Sequence, residues 1–105
     1  MGFHHIRFED IRNGVVHNVV DLDEMLAFLN NVNPSVNLEA MLGSKYIRLV
    51  ETRNGRSVYC FLDYQGNIYK SASWKAPAKH IRGTVFDTNY SWGKALGTYG
   101  AAYLR

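Results

Sequence analysis

Three turn signals constrain this chain more than anything else in it: Asn13-Gly14, Asn54-Gly55 and Gln65-Gly66-Asn67. Asn-Gly tolerates two successive positive φ angles, which a two-residue turn between twisted antiparallel strands demands. A chain punctuated in this way, with β-branched and aromatic runs on either side, is committed to hairpins. Residues 3–8 and 14–20 read as one pair of short strands. Residues 45–53 and 56–64 read as a second pair, and 68–73 adds a third strand to make a meander. Strict alternation along the middle strand puts Val58, Cys60 and Leu62 on one face and Tyr59, Phe61 and Asp63 on the other.

Helix grammar fills the gaps. Asp21 is placed as an N-cap with Glu24 three residues on, a capping-box-like pair. Leu22, Met25, Leu26 and Leu29 share one face of a helix over 21–32 that the Asn33-Pro34 step ends. Ser35 reads as the cap of a second, shorter helix carrying Val36, Leu38, Met41 and Leu42, with Gly43 as its stop. Pro77 and Gly83 read as the first-turn proline and the stop of a short helix over 77–82. Residues 84–87 then suit a strand, 92–96 a helical turn and 99–104 a last strand. The expected fold class is α+β: a single domain over 1–105, in which a small antiparallel β-sheet (meander) packs on one main helix, plus a short helix near 77–82.

Charge divides the chain in two. Through Ser44 there are two basic against six acidic residues, a net −4; from Lys45 onward there are ten basic against three acidic, a net +7. Eleven of the fourteen aromatic residues lie in the basic part, and cations among flat rings suit phosphates and unstacked bases. No apolar run reaches the roughly 20 residues of a membrane span, and the N-terminus carries no secretory pattern. The single cysteine, Cys60, excludes an internal disulfide framework and suits a reducing compartment. A soluble intracellular protein with no membrane partner is expected.

Two constellations can carry chemistry. Tyr59-Cys60-Phe61-Leu62-Asp63-Tyr64 follows the aromatic core of the RNP1 signature, in which alternate rings on a sheet face stack on bases. Tyr59 and Phe61 would form that platform and Tyr69 would extend it, although Ser57-Val58 stands where RNP1 has a basic residue and glycine. The competing account is an ordinary aromatic sheet core. The second constellation runs from Lys70 to Arg82. Lys79 and Arg82 would share a helix face, Lys75 would precede the helix N-terminus, and Lys70 and Trp74 would add a cation and a stacking face. Its competing account is a solvated basic loop anchored by Trp74. No zinc, Walker or nucleophile-elbow motif occurs, and His80 beside Lys79 and Arg82 offers only a distant nuclease base. No catalytic set, metal site or cofactor is expected.

The stretch Gly66-Asn-Ile-Tyr-Lys-Ser-Ala-Ser-Trp-Lys-Ala-Pro-Ala-Lys-His-Ile-Arg-Gly83, with the ending Tyr99-Gly-Ala-Ala-Tyr-Leu-Arg105, resembles small uncharacterised proteins encoded by tailed bacteriophages, over roughly residues 57–105. That resemblance implies a phage protein acting in the host cytoplasm and brings no catalytic residues with it. The function expected is therefore an accessory, non-enzymatic binding protein that contacts nucleic acid or another phosphate-bearing ligand through 45–105. Lys70, Lys75, Lys79 and Arg82 are expected at phosphates and Tyr59, Phe61 and Trp74 as stacking groups. The alternative is an inhibitor of a host or anti-phage defence protein, or a homo-oligomer, because aromatic and arginine residues also dominate protein interfaces.

Overall fold

Five consecutive strands, each hydrogen-bonded to the next, build the main sheet of the computed structural model, which describes residues 5–32, 36–53, 55–86, 96–97 and 100–101. They are β3 (Leu38–Leu42), β4 (Tyr46–Glu51), β5 (Ser57–Asp63), β6 (Asn67–Ser71) and β7 (Pro77–Thr84), all antiparallel, in the order β3-β4-β5-β6-β7. Ahead of them a separate hairpin pairs β1 (Arg7–Arg12) with β2 (Val15–Asp21). Its turn has Asn13 at φ 53° and Gly14 at φ 75°, the double positive φ that Asn-Gly supplies. A short pair, β8 (Leu96–Gly97) and β9 (Gly100–Ala101), follows, and β9 lies beside β5 and β6.

The core face of the sheet is made by Leu38, Ile47, Leu49, Cys60, Leu62 and Ile68, all buried, with Phe8 from the hairpin and Val85 beyond β7. Helix α1 (Leu22–Val32) feeds the same cluster with Leu22, Met25, Leu26 and Leu29. Its N-terminus is capped as its sequence demands: the Glu24 N–H donates to Asp21 Oδ1 at 3.1 Å. At its other end Asn30 acts as a substitute strand. Its Oδ1 accepts the Leu38 N–H at 2.8 Å and its Nδ2 donates to the Leu38 carbonyl at 3.2 Å. Both backbone groups of the first residue of an edge strand are thereby satisfied by one side chain.

The α+β expectation is corrected. The described residues are mostly β, with one eleven-residue helix whose backbone runs close to β2 and β3 rather than lying as a main helix across the sheet. The short helix expected at 77–82 is strand β7, and the second helix expected through Leu38, Met41 and Leu42 is strand β3. Both segments are too short to repay helix nucleation; 38–42 pairs with β4 along its whole length and 77–84 with β6 at four positions, across two register shifts. Proline and glycine punctuate a strand here rather than a helix. Pro77 opens an edge strand, where its missing N–H costs nothing, and Gly83 sits beside a register shift opposite Ile68. β7 stops at Thr84, with Val85 and Phe86 in a turn, so no separate strand begins at residue 84. Apart from Leu96 and the pair Gly100–Ala101, which are strand, the segments 92–96 and 99–104 lie outside the described residues.

The β5–β6 turn is held by Asp63. Its Oδ1 accepts the N–H groups of Gln65 (3.0 Å) and Asn67 (2.8 Å), and its Oδ2 accepts Asn67 Nδ2 (2.9 Å) and the Tyr69 hydroxyl (2.9 Å). Gly66 lies at φ 95°, and a Cβ there would meet Val85 and Phe86 side-chain atoms at 2.9 Å. Two losses in unfolding free energy, read by urea titration, are expected. Asn30→Ala costs about 1–3 kcal/mol through its two orphaned backbone groups. Gly66→Ala costs about 1–3 kcal/mol from backbone strain, with the steric contact adding to it. Unchanged midpoints would show that neither contact matters to the fold.

Candidate functional site

The face of the sheet opposite the core gathers rings and cations from four strands or loops. Pairing sets Arg48 on β4 opposite Phe61 on β5, and Phe61 opposite Tyr69 on β6. Tyr46, two residues before Arg48, meets Phe61 edge to face at 6.2 Å and Tyr69 at 5.7 Å between ring centroids. Perpendicular packing of this kind brings ring edges to π-faces, the favoured geometry for aromatic neighbours. The 72–76 loop between β6 and β7 then folds over this row. The Ala72 and Ser73 N–H groups both donate to the Ala76 carbonyl, which fixes the loop as a closed bend.

Arg48 ties the loop to the sheet. Its Nε donates to the Trp74 carbonyl at 2.8 Å, and its guanidinium carbon lies 4.8 Å from the Trp74 ring centroid and 5.7 Å from that of Phe61. Both rings are within the roughly 6 Å reach of a cation–π contact. Arg56 approaches the same indole at 5.9 Å, and its Nη2 donates to Met41 Sδ at 3.3 Å. Lys45 Nζ stands 5.5 Å from the Tyr46 ring. Beside this stack opens a groove of about 240 Å³, lined among others by Met41, Lys45, Tyr46, Arg48, Phe61 and Lys75. Three cations line it and, among the described residues, no carboxylate does. Asp63, the buried carboxylate on this face, is committed to the β5–β6 turn.

Of the residues that sequence reasoning selected, only Lys75 and Phe61 line the groove, and Trp74 stands beside it, 40% exposed. The expected platform of Tyr59 and Phe61 does not form, because they are only 5% and 2% exposed and face different ways. A register shift between Leu49 and Val50 leaves Tyr59 as the extra residue, so Tyr59 and Cys60 both join the core cluster while Phe61 lies under Arg48. Lys70 is half-buried on β6, and Lys79 is exposed on β7. Arg82 is half-buried, and its Nε and Nη1 are shielded with no hydrogen-bond partner among the described residues. On an extended strand Lys79 and Arg82 do not form the shared face that a helix would give, and Lys75 precedes no helix N-terminus. His80 is exposed on β7, and no group of metal-ligating side chains occurs among the described residues.

Sequence reasoning missed Tyr46, Lys45, Arg48 and Arg56 as site residues. Counting outward from a two-residue Asn54-Gly55 turn would set Arg48 opposite Phe61, but next to the turn Glu51 pairs with Ser57, and the bulge at Tyr59 is what restores that register. No comparable signal says that the 72–76 loop folds back over β4.

The chain belongs to a family of unknown function (DUF7717), whose model matches residues 3–96. No curated protein and no solved structure is significantly similar to it. Among the described residues no helix is long and apolar enough to cross a membrane.

The buried hydroxyl and thiol groups give the fold a pH signature. Partial burial and the bond to Asp63 push the Tyr69 hydroxyl up to about 12. Burial raises Tyr59 and Cys60 as well, further above their ordinary values of 10.0 and 9.0. Each folded value is raised, so the stabilising contribution is complete below pH 9 and is lost as pH climbs through 9 to 12. Chemical denaturation is expected to show stability falling over that window, with Tyr69→Phe flattening its upper part. A flat profile would contradict the burial of these groups.

Proposed function

We propose that this protein is a small accessory binding protein, without catalytic chemistry of its own, that holds nucleic acid or another phosphate-bearing ligand in the groove on the outer face of its main sheet. The observation that carries this reading is the groove lining: Lys45, Arg48 and Lys75 around Tyr46 and Phe61, with no carboxylate among them. Cations that share a concave site reinforce one another's field, and rings beside them lower the local polarity without supplying a competing anion. The net +7 of residues 45–105 supplies long-range attraction for the same ligand. The resemblance of 57–105 to tailed-phage proteins supports a phage-encoded protein acting in the host cytoplasm.

Three phosphate contacts, from Lys45, Lys75 and Arg56, correspond to a slope of about −2 in log K against log salt on a single strand. Fluorescence anisotropy with labelled DNA and RNA at low salt is expected to give such a slope. Lys45→Glu with Lys75→Glu is expected to bring it below about −1 in magnitude and to weaken binding. A wild-type protein that binds no nucleic acid or polyphosphate at low salt refutes the reading.

A second reading, a protein partner, is favoured by a separate observation on the β1–β2 hairpin. Ile11, Val15, Val16 and Val19 are 55%, 55%, 48% and 47% exposed. The pairing puts Ile11, Val16 and Val19 on one face of the hairpin, and exposed aliphatic side chains side by side there suit contact with a host or defence protein, or with a second copy of the chain. Sedimentation velocity across a concentration series is expected to show self-association that Val16→Asp abolishes if the partner is a second copy. A monomer at every concentration excludes that partner.

A further inference from the structure

We propose that the ligand of the outer-face groove is single-stranded nucleic acid, with unpaired bases stacking on Trp74 and the groove taking one nucleotide of a longer strand. This rests on the phosphate-binding reading of the groove and narrows it to one substrate class.

Three features carry the narrowing. The first is size. At about 240 Å³ the groove is smaller than the roughly 300–1,000 Å³ sites that enclose free small molecules, so it holds part of a chain rather than a whole ligand. The second is shape. Base readout in the major groove of a duplex, about 12 Å wide, needs an inserted helix or β-ribbon, and a recess on a sheet face supplies none. The third is the state of Trp74. This indole is 40% exposed yet already held, its carbonyl bonded to Arg48 Nε and its ring engaged by the guanidiniums of Arg48 at 4.8 Å and Arg56 at 5.9 Å. An exposed ring that is already held in place loses little further freedom when a base stacks on it. Bases in a duplex present no such face; unpaired bases do.

Arg48 is the positioning residue in this arrangement. Its planar fork bonds the loop carbonyl while its flat face contacts both Phe61 and Trp74, and a lysine ammonium at that site keeps the charge but cannot do both. Lys45 and Lys75 on the groove meet successive phosphates along the strand, and Arg56, which lies against the Trp74 ring and bonds Met41 Sδ, joins them through its remaining guanidinium N–H groups. A ligand held through phosphates alone would lose only what release of the loop costs Lys75 and would be indifferent to Trp74→Leu. A ligand stacked on Trp74 is weakened by both Trp74→Leu and Arg48→Lys.

The experiment uses the full chain carrying Trp92→Phe, which leaves Trp74 as the sole tryptophan. Its probes are a mixed-sequence DNA or RNA strand of roughly 12 nucleotides, the duplex of the same sequence, and inorganic polyphosphate. The expected result has three parts. The single strand quenches Trp74 fluorescence and binds at least about tenfold more tightly than the duplex. Trp74→Leu loses about 5- to 100-fold in affinity for the single strand, the worth of one stacked base. Arg48→Lys, at unchanged net charge and with an unchanged thermal transition, loses a comparable factor. Equal affinity for strand, duplex and polyphosphate, with neither variant weakening binding, overturns the single-strand inference and leaves the phosphate site standing. Binding to none of the probes overturns both.

Discussion

Pairing of Leu49 with Cys60 and of Arg48 with Phe61 decides which side chains of the two central strands meet the core and which meet the outer face. Because side chains alternate along a strand, slipping β4 by one residue against β5 would expose Ile47 and Leu49 and bury Arg48. The register is held at both ends. Toward the β5–β6 turn Asp63 gathers four donors, and toward the 52–56 turn a bulge at Tyr59 takes up the extra residue. The bulge also turns Tyr59 into the core, where its ring fills volume instead of offering a face to a ligand.

The outer face follows from that register. With Arg48 opposite Phe61, one guanidinium reaches the 72–76 loop and pins it, and Trp74 comes to rest above β4, far along the sequence from its neighbours there. The contact is worth little as a single exposed interaction, about 0.5–1 kcal/mol for a cation–π pair. Its consequence is geometric: it converts a loop tryptophan into a fixed surface next to a cationic groove. The same cooperation between a small contact and a large placement recurs at Asn30, where two hydrogen bonds join the helix end to the first residue of the edge strand.

Much of the strand framework was legible because its causes are local. Asn13-Gly14 and Gly66 adopt the positive φ angles that their residue types allow at low cost, and Asp21 caps α1 through its own side chain. The errors arose where local grammar is ambiguous. A proline and a glycine bracketing five residues suit a short helix or an edge strand equally well, and the choice for 77–82 falls to whether β6 offers free N–H and C=O groups. Leu38 to Leu42 became a strand for the same reason, since β4 offers it a partner.

The sequence by itself determined where the chain turns, where its helix starts, and that positive charge and rings accumulate after residue 44. Turn chemistry, capping and composition act over a few residues, so they are written in order along the chain. Only the tertiary structure decided that Tyr59 is core, that Lys70, Lys79 and Arg82 stand apart from the groove, and that Arg48 joins Phe61 to Trp74. Those outcomes depend on a bulge and on a loop folding back across 26 residues from Arg48 to Trp74. Long-range contacts of that kind are chosen by the packing of the whole sheet, and no window of sequence contains both partners.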